Sequence, residues 1–149
     1  MNSLKTLIIA VNEKKGGGMN YFAIVAVVVL RQVIGFLWYS PLLFLQAWKE
    51  SVGLDEGEFV LNATPFIADI FGSFFMAYVL SLVVEKFYCK TIEDGARLGF
   101  MVWLGFMGPI LAAHYLFIGF EFDAIAIDAG KELVGMVLSG IILSIWRKK

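Results

Sequence analysis

Four stretches of the chain, at about residues 20–39, 64–87, 92–118 and 124–146, are apolar over consecutive positions, with no alternation of apolar and polar residues. Each is close to the roughly 20 residues that an α-helix needs to cross a hydrocarbon core about 30 Å thick. A transmembrane barrel would require segments of about ten residues that alternate apolar and polar, whereas the run Phe22 to Leu30 holds no polar position at all. The pattern predicts an all-α fold: an integral membrane four-helix bundle.

Start and stop signals refine the boundaries. Ser40 is placed to cap, and Pro41 to open, a short helix PLLFLQAWKESV that Gly53 would end in a left-handed conformation. That helix is too short to span, and Trp48 beside Lys49 and Glu50 suits it to the membrane surface. Thr64-Pro65 repeats the cap-then-proline signal for the second span, and Thr91, with Asp94 three residues on, does the same for the third. Within the third, Pro109 lacks an amide hydrogen and frees the carbonyl of Gly105, which predicts a kink near mid-membrane. The apolar run Leu7 to Val11 is far too short to span. Residues 1–18 therefore read as a cytosolic extension joined through Gly16-Gly17-Gly18, with residues 19–149 as the transmembrane domain and Met19 a candidate start of it.

Composition agrees with this reading. Hydrophobic residues make up 60% and charged residues 17% of the 149 positions, with a mean hydropathy of +0.80, oilier than a soluble domain. A formal net charge of −1 gives no reason to expect a nucleic-acid partner. Cys89 is the single cysteine, so no intramolecular disulfide forms. Basic residues then set the orientation. Lys5, Lys14, Lys15, Lys86, Lys90, Arg97, Arg147, Lys148 and Lys149 fall on the side holding both chain ends, and Lys49 alone falls opposite, among Glu50, Asp55, Glu56, Glu58, Glu121 and Asp123. The positive-inside rule places both termini in the cytoplasm, with a bacterial inner membrane as the default. Trp38, Tyr39, Tyr88, Tyr115 and Trp146 then lie near span ends as aromatic belts.

Six ionisable residues remain inside the spans: Arg31, Asp69, His114, Asp128, Lys131 and Glu132. A lone Asp, Lys or Arg at a helix centre costs about 2.5–3.5 kcal/mol on insertion scales, so these groups must meet one another or water. Asp128, Lys131, Glu132, Gly135 and Ser139 share one face of the fourth helix, which should point into the bundle. Two readings follow. One is an internal ion-pair network that fixes helix register, with Arg31 and Lys131 against Asp69, Asp128 and Glu132. The other is an ion or solute site open to the outer surface, with Asp69 and Asp128 as ligands or proton carriers and His114 as relay. The network is preferred. Ala68 and Gly72, Ser73 and Ala77, and Gly95 and Gly99 have the four-residue spacing that permits close helix approach. The sequon Asn62-Ala63-Thr64 is followed at once by Pro65 and carries little weight.

Phosphate-loop, dinucleotide, zinc-protease and nucleophile-elbow motifs are absent, and one histidine with one distant cysteine builds no usual metal or Cys-His centre. No cofactor, no metal and no enzymatic activity are expected. From helix one onward the chain resembles a family of small membrane proteins catalogued as domain of unknown function 1761. The resemblance is carried by Gly35-Phe36-Leu37-Trp38-Tyr39-Ser40-Pro41-Leu42-Leu43-Phe44 with Trp48, by Trp103-Leu104-Gly105-Phe106, and by Asp128-Ala129-Gly130. It implies a four-helix membrane fold and no particular activity. Physically, Trp38 to Pro41 form an elbow that ends helix one, with Trp38 and Tyr39 also candidates to line an outer mouth. The expected role is a structural or accessory subunit, partnered by the bilayer and by copies of itself or other membrane subunits. A small oligomeric transporter or channel is the alternative, and a lipid-acting membrane enzyme built on His114 a third.

Overall fold

A computed structural model describes residues 19–54 and 63–146, and these form helices joined by turns, with no strand. The elements are α1 (Tyr21–Trp38), α2 (Leu45–Ser51), α3 (Ala63–Lys86), α4 (Ile92–Ile118) and α5 (Phe122–Ile145). The longer helices end within two residues of the predicted limits. Three of them, α1, α3 and α4, are long and apolar enough to cross a membrane, as a membrane protein requires. α5 has the length, 24 residues, but carries Asp123, Asp128, Lys131 and Glu132. The extension 1–18, the acidic stretch 55–62 with Asn62, and the basic end 147–149 lie outside the described residues.

Local chemistry explains most helix ends. Asn20 caps α1 by accepting from the Phe22 amide. Thr91 and Asp94 form a reciprocal capping box at the start of α4, which satisfies two amides that no helical carbonyl reaches. Gly119 closes α4 at φ +85°, a conformation that costs other residues steric strain, and the chain turns into α5 through Phe120 and Glu121. Gly53 takes φ +71° after α2, as expected.

Three local expectations need correction. Ser40 does not cap α2: its hydroxyl donates back to the Leu37 carbonyl at 2.7 Å and so closes α1. Residues Ser40 to Phe44 form turns, and α2 starts only at Leu45. Thr64 and Pro65 do not precede α3 but lie in its first turn. The irregularity near Gly105 and Pro109 is a five-residue π-helical turn, Trp103–Met107, in which the Gly108 amide reaches back to the Trp103 carbonyl. Pro109 then sits in the first turn of the renewed α-helix Gly108–Ile118, where its missing donor costs nothing.

α5 is the pillar of the structure. It packs against every other helix, while α1 and α3 also pack together. Its two halves are buried differently. Toward its C-terminal end, Met136 and Leu143 join Ala23, Ile24, Val27, Ala77, Leu80 and Val84 in an apolar core. There the Asn20 amide also donates to the Trp146 carbonyl, tying the start of α1 to the end of α5. At the same level α4 crosses so closely that a Cβ on Gly95 would strike the Gly140 carbonyl, and one on Gly99 the Met136 carbonyl. Toward its N-terminal end, α5 buries the charged Asp128 and Glu132 beside Ala124, Ile125 and Ile127.

Candidate functional site

α5 turns Asp128 and Glu132 of its N-terminal half, and Gly135 and Ser139 just beyond its middle, inward, all buried, as the spacing along one helix face requires. Two polar constellations form on this stripe, one around each carboxylate.

Glu132 is the centre of the first. Its Oε2 accepts from Arg31 at 2.7 Å, and its Oε1 lies 3.0 Å from the Lys131 ammonium. The Arg31 and Glu132 side chains are 9% and 12% exposed, so bulk solvent neither screens nor replaces the pair. Arg31 Nε also donates to the Ser73 hydroxyl of α3 at 3.1 Å, which links α1, α3 and α5 through one guanidinium. Gly135 makes room for it, since a Cβ there would approach Nη1 to 2.8 Å. Ser139, one turn further, donates to the Gly135 carbonyl and leaves no polar atom exposed to the core.

Asp128 is the centre of the second, and here the partners are aromatic rather than basic. Tyr39 and Tyr115 both donate their hydroxyls to its carboxylate, the latter at 2.6 Å, and the Trp48 indole N–H donates at 3.3 Å. The backbone on either side is held in the same way: Trp38 donates to the Ile127 carbonyl and Trp103 to the Ala129 carbonyl, each at 3.0 Å. Five polar-tipped rings from α1, the following turn, α2 and both halves of α4 thus converge on three consecutive residues of α5. Gly130 lies against the Trp38 ring, 3.3 Å from where a Cβ would stand. The π turn begins at Trp103, and the Gly108 that follows it packs against the Trp103 ring, within 3 Å of where a Cβ would stand.

Asp69 and His114 stand apart. Asp69 accepts from the Gln32 amide at 2.7 Å and is exposed on α3. His114 is exposed on α4, 6.3 Å between ring centres from Tyr115, and hydrogen-bonds to no carboxylate among the described residues. Gly105 lies in the π turn and Pro109 just after it, both exposed. No three His, Cys, Asp or Glu side chains converge as metal ligands among the described residues.

A cleft of about 450 Å³ opens beside the two constellations, between α1, α2 and α3. Gln32, Gly35, Phe36, Tyr39, Leu45, Trp48, Pro65, Phe66, Asp69 and Lys131 line it. Of the two aromatics expected at a mouth, Tyr39 lines this cleft, whereas Trp38 is turned to the α5 backbone. Behind Asp69 and Lys131, against Arg31, Ile34 and Gly135, the space is a void of about 10 Å³. A cavity needs about 10–15 Å³ to hold one water, so this one admits a single molecule at most.

Sequence reasoning did not find Trp48, Tyr115, Trp103 and Ser73 as polar partners. Trp48 and Tyr115 had a sufficient explanation as interfacial aromatics, and only their depth, level with Asp128, hinted otherwise. The stretches that carry the family resemblance, Trp38-Tyr39 with Trp48, Trp103, and Asp128-Ala129-Gly130, are distant in sequence and meet at this one place. The family described as protein of unknown function (DUF1761) matches residues 22–144, and the chain belongs to it. No curated protein and no solved structure matches the chain.

Proposed function

We propose, from membership in a family that brings no activity with it, that this chain is a four-span membrane protein serving as a structural or accessory subunit of a membrane assembly. In this reading α5 is the fourth span. Its 24 residues reach roughly 36 Å at 1.5 Å per residue, enough for the hydrocarbon core. Its charges are tolerable because Asp128 and Glu132 are turned inward and given donors, and Lys131 pairs with Glu132. Both termini lie in the cytoplasm by the distribution of Lys and Arg, and α2 lies at the outer surface, pinned by Trp48. A bacterial inner membrane remains the setting this distribution suits.

The observation that carries the reading is the pairing of the polar interior. Glu132 pairs with both Arg31 and Lys131, Asp128 takes three hydrogen bonds, and the space behind the cleft, against Arg31 and Gly135, holds at most one water. A conduit needs exchangeable ligands and a path; a locked network supports a scaffold. Exposure of His114 away from the carboxylates likewise supports a non-catalytic role.

Reconstitution tests this directly. Purified in mild detergent, the protein should travel in a stable assembly with itself or other membrane subunits, and proteoliposomes should show no saturable flux of protons, common cations or small metabolites. A strictly monomeric species with robust flux that Asp69→Asn or Asp128→Asn abolishes would establish a transporter instead.

A further inference from the structure

The cleft between α1, α2 and α3 is not accounted for by a scaffold. Its volume of about 450 Å³ lies within the range of small-molecule sites. Gly35 contributes to that space, because a Cβ there would meet nothing within 4 Å. The walls are apolar and partly open to the surroundings: Phe36 and Phe66 stack at 5.8 Å and remain 66% and 39% exposed. Tyr39 and Trp48, whose polar tips are turned to Asp128, present ring surface to it.

Charge along the wall narrows the occupant. Glu132 is shared between Arg31 and Lys131, so this trio carries one net positive charge. Lys131 is the member that lines the cleft, its ammonium 5.5 Å from the centre of the Tyr39 ring and holding N–H groups beyond the one used by Glu132. Asp69, which lines the same cleft, has only the neutral Gln32 amide on Oδ2, and its Oδ1 accepts from no described residue. The cleft thus presents one positive and one negative group above apolar walls. An anionic amphiphile would leave Asp69 uncompensated and repelling it, and a cationic one would leave Lys131 doing so.

We infer that the cleft holds a zwitterionic phospholipid, its phosphate against Lys131, its ammonium against Asp69 and its apolar portion along Phe36 and Phe66. The inference rests on the membrane-spanning reading. Lys131 reaches the headgroup by extending its four-carbon stem toward the Tyr39 end of α1, the direction in which a membrane lysine ordinarily extends to the interface.

Native mass spectrometry of the protein, exchanged into equal amounts of phosphatidylethanolamine and phosphatidylglycerol, provides the test. Wild type should retain phosphatidylethanolamine in preference. Asp69→Asn, which keeps the shape and an acceptor for Gln32, should cut that preference about threefold, the scale of a partly exposed ion pair. Lys131→Gln should weaken retention of both lipids, and Gly35→Leu, which fills the space without meeting backbone, should remove tight retention altogether. Equal retention of both lipids, unchanged by Gly35→Leu, would mean annular lipid only and would overturn the inference. Recovery of the wild-type chain in the aqueous fraction of lysed cells would instead overturn the membrane reading itself.

Discussion

The two halves of α5 solve the same packing problem by opposite means. In the C-terminal half, association with α4 depends on having no side chain: Gly95, Gly99 and Gly140 let two backbones touch. In the N-terminal half, association depends on long side chains with polar ends, which reach Asp128 and Glu132 from α1, the turn after it, α2 and α4, while Arg31 also bonds Ser73 of α3. In the proposed bilayer setting the difference is instructive. Lipid tails are as apolar as leucine, so burying apolar surface gives little drive for helices to associate. What remains is close van der Waals approach and hydrogen bonding between helices, and this chain assigns one to each half of its central helix. The glycine half is unforgiving of volume, and the polar half is unforgiving of lost charge.

Three substitutions would break or sharpen that contrast, measured as unfolding free energy in mixed micelles. The largest effect belongs to the ion-pair centre. Glu132→Gln leaves Arg31 and Lys131 side by side without a counter-charge, and breaking a buried pair by removing one partner costs about 3–5 kcal/mol. A loss below about 1 kcal/mol would mean that water reaches the network. Next is Gly99→Leu, whose Cβ runs into the Met136 carbonyl, so α4 must shift away from α5 at a cost of about 3 kcal/mol. If that variant proved as stable as wild type, the two backbones would not be in contact. The smallest effect is Tyr115→Phe, which removes one of three donors to Asp128 and leaves Tyr39 and Trp48 in place. About 1 kcal/mol is expected, since the carboxylate stays bonded and interhelical hydrogen bonds in membranes average below that of an unpaired group. A loss comparable to that of Glu132→Gln would make the aromatic clasp, and not the ion pair, the principal tie.

Much of the architecture was legible in the residues. The limits of the helical segments follow from apolar run length and from caps such as Thr91 with Asp94, which act over a few neighbouring positions. The inward stripe on α5 follows from the 3.6-residue period. Less legible was the outcome for each polar group. Asp128 had two basic residues available within the predicted cluster, Arg31 and Lys131, yet both went to Glu132 and Asp128 was left to the aromatics. Asp69 and His114, expected to join the same polar site, are exposed instead, Asp69 lining the cleft and His114 on α4.

The division has a physical cause. Helix formation, capping and face periodicity are set by residues within a turn or two, so the chain by itself determined that it folds into helices, where the longer ones begin and end to within two residues, and that one of them carries a buried polar stripe. Which donor meets which acceptor depends on the rotation and crossing of helices far apart in sequence. Trp38, Trp48, Trp103 and Tyr115 come to the residues around Asp128 only because α1, α2 and α4 all pack on α5. Those choices, and with them the cleft beside Lys131 and Asp69, belong to the tertiary structure alone.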